Sequence, residues 1–139
     1  TMGLNAGKGQ VIHQNVVHTL SYYLTSATVS GTVVLGWLPP GALVVASGAG
    51  VYAAWSGTGN EQADIGFDNS EEGYTADPNA FTETALDLDV GVGHQAGDVV
   101  SAANLYFSKP ARVTAAIVNT DSATGAALLY VNYIVRERT

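Results

Sequence analysis

Cysteine is missing from all 139 residues, which rules out a disulfide framework and thiolate-bound metal centres. Positive charge is nearly missing as well. Lys8 and Lys109 bracket a stretch, residues 9–108, that holds no lysine and no arginine. Charged side chains make up 12% of the chain, against about 25% in an average globular protein. Hydrophobic residues reach 47%, yet no apolar run approaches the ~20 residues of a membrane-spanning helix. The opening residues, Thr1 to Lys8, contain no apolar core of a signal peptide. Helical spacing is nowhere sustained beyond a single turn, although alanine is common.

Acid fills the cation-free stretch. Glu61, Asp64, Asp68, Glu71, Glu72, Asp77, Glu83, Asp87, Asp89 and Asp98 all fall inside it, and the net charge is −7. Phosphate binding needs clustered cations, so nucleic acid and anionic membranes are not expected partners. So few charges on one domain imply that a low-charge surface is covered by another chain.

The pattern that remains is that of strands. Ala63, Ile65 and Phe67 alternate with Gln62, Asp64 and Asp68, and Leu86, Leu88 and Val90 alternate with Ala85, Asp87 and Asp89. Strict period two places each apolar set inside and each acidic set outside. Runs apolar on both faces, at 99–107, 112–118 and 127–135, suit central strands. Further strands are expected at 16–24, 32–38 and 43–55, the last bent at Gly48 and Gly50. Pro39-Pro40-Gly41, Gly57-Thr58-Gly59-Asn60, Gly91-Val92-Gly93 and 121–125 carry turn chemistry.

About eight strands at this spacing predict an all-β fold, a single antiparallel β-sandwich of jelly-roll type over residues 16–139. Residues 1–15, polar and glycine-rich, read as an extended N-terminal arm. Tyr22-Tyr23 and Tyr130-x-x-Tyr133 each place one ring on either side of a sheet.

Catalytic and metal-binding constellations fare poorly. His13 and His18 fall on opposite faces of an extended segment, and no third ligand stands at metal-binding spacing. Asp68, Ser70, Glu72 and Gly73 match positions 1, 3, 5 and 6 of a calcium loop, but its twelfth position is Asn79 where a bidentate glutamate is required. Gly91-Val92-Gly93 and Gly97 miss the dinucleotide fingerprint and lead into a strand. Glu83, Asp87 and Asp89 are more simply a wet strand face than a glycosidase pair, and no nucleophile elbow is present. The chain is therefore expected to be no enzyme, with no metal and no cofactor. Trp37 and Trp55 stand at strand ends, either as lids on the core or as exposed anchors for a partner.

The succession Leu35-Gly36-Trp37-Leu38-Pro39-Pro40-Gly41-Ala42-Leu43-Val44-Val45 resembles the centre of small tailed-phage structural proteins. Ala63-Asp64-Ile65-Gly66, an acidic aromatic loop and the closing Val131-Asn132-Tyr133-Ile134-Val135 extend the resemblance over roughly residues 20–135. That group is similar to capsid decoration or cement proteins, which bind the outside of the head and brace neighbouring subunits. The resemblance implies a virion protein on the capsid surface, partnered by the major capsid protein and itself a dimer or trimer. The arm and tail lie outside the resemblance. From composition, Leu4, Lys8, Val11 and Ile12 of the arm, Trp37 and Trp55 at the rim, and Arg136 and Arg138 of the tail are expected capsid contacts. The alternative is a carbohydrate-binding sandwich using Trp37, Trp55 and the acidic loop, with Asn60 and Glu61 beside the second ring.

Overall fold

The computed structural model of the protein describes residues 16–70, 73–98 and 105–135. Within them lie nine strands: β1 (Val17–Thr25), β2 (Gly31–Leu38), β3 (Ala42–Ala53), β4 (Gln62–Phe67), β5 (Leu86–Asp87), β6 (Gly93–Ala96), β7 (Tyr106–Phe107), β8 (Ala111–Val118) and β9 (Ala126–Val135). The connections form where the chain offers turn residues. Between β2 and β3 the Ala42 N–H donates to the Pro39 carbonyl at 3.1 Å, and Gly41 takes φ +86°. That is the geometry of a type II turn, with proline presetting the first central residue and glycine accepting the second.

One sheet has the order β1-β9-β3-β6, and β7 pairs with β3 alongside β6; the other has the order β2-β8-β4-β5. All neighbours are antiparallel. Apart from the short β7, this interleaving of the two sheets is that of a jelly roll. β8 and β9 are inner strands, as their two-sided apolar sequences predict. β3 carries register shifts between Val44 and Ala46 and between Val51 and Ala53, and β2 one between Val34 and Gly36. Such bulges bend a strand around a barrel-like core.

The core fills the space between the sheets. Leu24, Val51, Ile65, Val113, Leu129 and Val131 are buried from both sides. At one end three rings meet around that of Phe67: Phe107 at 5.1 Å and 81°, Tyr74 at 5.9 Å and 65°, and Phe81 at 6.2 Å. Edge-to-face contacts of this kind add about 0.5–1.5 kcal/mol each beyond area burial. Tyr74 also clasps the long acidic loop to the connection between β7 and β8: its hydroxyl accepts from the Lys109 N–H at 3.0 Å and donates to the Lys109 carbonyl at 2.9 Å.

Three expectations need correction or narrowing. Ile65, Phe67, Leu86 and Leu88 are buried and Asp87 and Asp89 exposed, as alternation demands, but Asp64 is half-buried and Val90 is 66% exposed. Pairing with β4 ends at Asp87. The Leu88 N–H then donates to the Glu61 carbonyl at 2.9 Å and its own carbonyl accepts from Trp55 N–H at 3.1 Å. Beyond that point the chain leaves the sandwich, so Val90 finds no core beneath it. The strand expected at 99–107 is seen only as β7, since 99–104 lie outside the described residues. Gly93, expected in a turn, opens β6.

Candidate functional site: an uncharged sheet face

The five strands of the first sheet contain no aspartate, glutamate, lysine or arginine. Alternation turns half of their side chains outward, and the registers align these in rows across the sheet. Val17 pairs with Ile134, Ile134 with Leu43, and Leu43 with Tyr106, which makes one apolar row across four strands. Val17, Leu43 and Tyr106 are all exposed. At the other end, Tyr23 and Tyr52 pack ring to ring at 6.3 Å, Tyr52 being 62% exposed. A polar and small-residue band separates the two: Thr19 donates to Asn132 at 2.8 Å, and Ser21, Tyr130, Gly48 and Ala96 follow in register.

Across that band Tyr130 lies over Gly48 and reaches His94. The rings stack with centroids 5.7 Å apart and an interplanar angle of 22°. Burial raises the pKa of the Tyr130 hydroxyl above its usual value. His18 stacks in a similar way on Tyr133, at 5.3 Å and 26°. The inner rings of the two tyrosine pairs, Tyr22 and Tyr133, pack against the core, and the outer ones, Tyr23 and Tyr130, face away from it. This is the division their spacing predicts.

Charge sits elsewhere. On the second sheet Arg112 grips Asp68 through Nε at 2.7 Å and Nη2 at 2.5 Å. Burial opposes ionisation of Asp68, but the Arg112 guanidinium and the Ser70 N–H outweigh it and hold its pKa below the usual value. Asp64 moves the other way. Burial raises its pKa and the nearby Asp98 charge adds to this, while the Thr82 hydroxyl works against them. Asp98 itself is held low, first by the Thr84 backbone N–H. No three histidine or carboxylate side chains converge among the described residues.

The residues singled out from the sequence are dispersed. Trp37 is 47% exposed on the outer face of the second sheet, in register with Arg112. Trp55 is a correction: at 3% exposure it is a core residue, with Gly125 against its ring. The segment 119–125 folds over it, so no ring face is left for a partner. Glu61, which the glycan alternative places beside the Trp55 ring, is 0% exposed. Its Oε2 accepts from the Thr120 N–H at 2.8 Å and from the Ser122 hydroxyl at 3.0 Å. The glycan site imagined around Trp55 and Glu61 is therefore interior. Leu4, Lys8, Val11, Ile12, Arg136 and Arg138 lie outside the described residues. The uncharged face itself does not follow from any one strand, although its signal, strand after strand without a charge, is present in the sequence.

No known protein family matches the chain by profile, and no curated protein matches it by sequence. Solved structures do match. A chain of the acid-stable capsid of Helicobacter pylori bacteriophage KHP30 superposes with TM-score 0.65 at 21% identity, over 89% of this chain and 91% of that one. A chain of the capsid of Ralstonia phage GP4 gives 0.61 at 18%, over 90% and 86%. A chain of the cyanophage Pam1 capsid asymmetric unit gives 0.57 at 15%, over 88% and 86%. The fold of this protein is thus one that chains of three phage capsid structures share over nearly their whole length.

Proposed function

We propose that the protein is a structural component of a phage virion that binds the outside of the head as a cement or decoration protein, without catalysis. The observation that carries the reading is the end-to-end likeness to chains of phage capsids, with little of either chain left over. A single rigid sandwich, an uncharged sheet face and an acidic opposite side fit a protein that covers a shell and faces solvent with its charges. The major capsid protein is the partner this reading names. Residues 1–15 supply an arm for backbone pairing with it, and Arg136 and Arg138 cations for its acidic groups. Repetition over a shell lets weak contacts add.

The test is cosedimentation of the purified protein with heads that lack it, followed by imaging of the pelleted particles. Added density on the outer surface is the expected result, and protein left in the supernatant overturns the reading. Deleting residues 1–12 is expected to weaken retention about tenfold, or roughly 1.4 kcal/mol. The glycan-binding alternative now rests on Trp37 beside the Arg112–Asp68 pair. Retention on a polysaccharide column that Trp37→Ala abolishes would favour it.

A further inference from the structure

We infer that the sandwich carries a calcium site at one end, where the β3–β4 loop (54–61) meets the β8–β9 loop (119–125), with Oε1 of Glu61 as its buried ligand. Spacing along the chain predicts no metal, because Glu61 and Asp121 stand about sixty positions apart and come together only in the fold. The inference goes beyond the capsid reading, since it concerns the free protein.

The buried carboxylate carries the argument. Glu61 is 0% exposed, and its Oε2 is taken up by the Thr120 N–H and the Ser122 hydroxyl. Oε1 is equally buried and has no hydrogen-bond partner among the described residues. Nor does a basic side chain pair with it there. Carboxylates withdrawn from water are paired or bind metal, because an unmatched charge inside a protein is costly. With five lysines and arginines against twelve acids, the chain has few cations to spare, and an ion from solution is the ready counter-charge. This sets Glu61 apart from exposed acids such as Asp87 and Asp89, which water already serves.

The surroundings supply more oxygen. Two glycines let the backbone close on the carboxylate. A Cβ on Gly57 would stand 2.7 Å from Oε1 and 2.8 Å from the Ser122 hydroxyl. One on Gly59 would meet Thr120 Oγ1 and lie 3.4 Å from Oε1, so these two oxygens open onto one spot that no side chain fills. Asp121 stands at the rim of the same loops. Its Oδ1 accepts from the Thr58 N–H at 2.7 Å and its Oδ2 from the Thr58 hydroxyl at 3.1 Å, which leaves lone pairs on both. Thr58, Thr120 and Asp121 are exposed, so water can complete a coordination shell. Carboxylates and hydroxyls without nitrogen or sulfur form a hard donor set. Calcium takes six to eight such oxygens at about 2.3–2.6 Å in irregular loops, whereas magnesium demands a near-ideal octahedron. Bound there, the ion would fasten together the two loops that close over Trp55.

The test uses the full chain after treatment with a chelator. Calcium chloride at about 10 mM is expected to raise the thermal midpoint by about 4–8 °C, as binding in the ~0.1–1 mM range of extracellular calcium sites implies. Glu61→Gln keeps the shape of the side chain without its charge and is expected to abolish the shift. Asp121→Asn, on an exposed residue, is expected to reduce it. Each variant is compared with itself, with and without the ion, so a lower starting stability does not enter. Terbium replaces calcium and takes excitation energy from a nearby indole, which gives a second readout. Sensitised emission is expected from the wild type, competed away by calcium, lost in Glu61→Gln and kept in Trp37→Phe, whose ring stands on β2. A wild type with neither midpoint shift nor sensitised emission overturns the inference. A shift that survives in Glu61→Gln also overturns it, since the ion would then sit on exposed acids, and an equal shift with magnesium removes the calcium assignment. Binding to heads is measured separately, so failure here leaves the capsid reading standing.

Discussion

The Tyr130 hydroxyl lies 2.5 Å from Nε2 of His94, across the intervening strand β3 at Gly48. The contact is possible because position 48 has no side chain. A Cβ there would stand 2.5 Å from the Gln95 carbonyl and 2.7 Å from the Tyr130 hydroxyl. The carbonyl is backbone of β6, so the strand itself would have to move. Gly48→Ala is expected to destabilise the protein by about 1–3 kcal/mol in urea unfolding. Gly50→Ala, two residues on, meets nothing within 4 Å and is expected to change stability by no more than about 0.5 kcal/mol. Equal effects at the two positions would show that the close approach of β6 and Tyr130 to Gly48 does not constrain the sheet.

Leu88 and Val90 separate the residues that the sandwich holds from those it has released. Leu88→Ala removes a fully buried side chain and is expected to lower the unfolding free energy by about 2–5 kcal/mol. Val90→Ser, on an exposed residue, is expected to stay within about 0.5 kcal/mol. Denaturant midpoints at unchanged m-value give both numbers.

Glu61 holds the 119–124 segment over Trp55 by accepting from Thr120 and Ser122. The same junction is tied by Ser56, whose hydroxyl accepts from the N–H groups of Ala123 at 2.9 Å and Thr124 at 3.0 Å. Glu61→Ala leaves the Thr120 N–H and the half-buried Ser122 hydroxyl without this acceptor and is expected to cost about 1–3 kcal/mol. Glu61→Gln keeps an acceptor in place and should cost less. The reverse order in thermal unfolding would remove the carboxylate from this role.

Acid stability is set by carboxylates of opposite sense. The folded pKa of Asp68 is below its unfolded value, so its contribution is present at neutral pH and is lost as pH falls through the folded pKa. The folded pKa of Asp64 is raised, so its ionisation works against folding once pH rises through it. Asp68→Asn is expected to lower stability at pH 7 and to flatten the acid limb of the stability curve. Asp64→Asn keeps the acceptor for the Thr82 hydroxyl and is expected to raise stability at pH 7. Paired pH titrations of unfolding midpoints check both signs.

Local pattern carried the sequence reading as far as local pattern reaches. Ile65 and Phe67, or Tyr22 and Tyr23, are assigned to their faces by alternation alone, because a strand leaves a side chain only two directions. Alternation does not say where a strand departs from its sheet, and so it places Val90 inside. The burial of Trp55 and Glu61 depends on residues 119–125, some sixty positions away in the chain, and no neighbour in sequence announces it. β6 is short and mostly polar, and it becomes a strand only because β3 offers it an edge at Gly48–Val51. The candidate face is not legible in the sequence for a related reason: Val17, Ile134, Leu43 and Tyr106 form a row only once four distant strands are in register.

The place of β9 has a consequence for how the protein comes into being. It lies between β1 and β3, yet of the strands described it is the last to leave the ribosome. Until then β1 has no neighbour in its own sheet, and a nine-residue edge free of charge and proline waits unpaired on the nascent chain. Such an edge is the kind that recruits other chains. Closure must also span most of the sequence, and topologies of that kind fold in milliseconds to seconds rather than microseconds. The interval between synthesis of β1 and arrival of β9 is when this protein is most exposed to aggregation, and a chaperone that shields β1 during it would raise the yield of soluble protein.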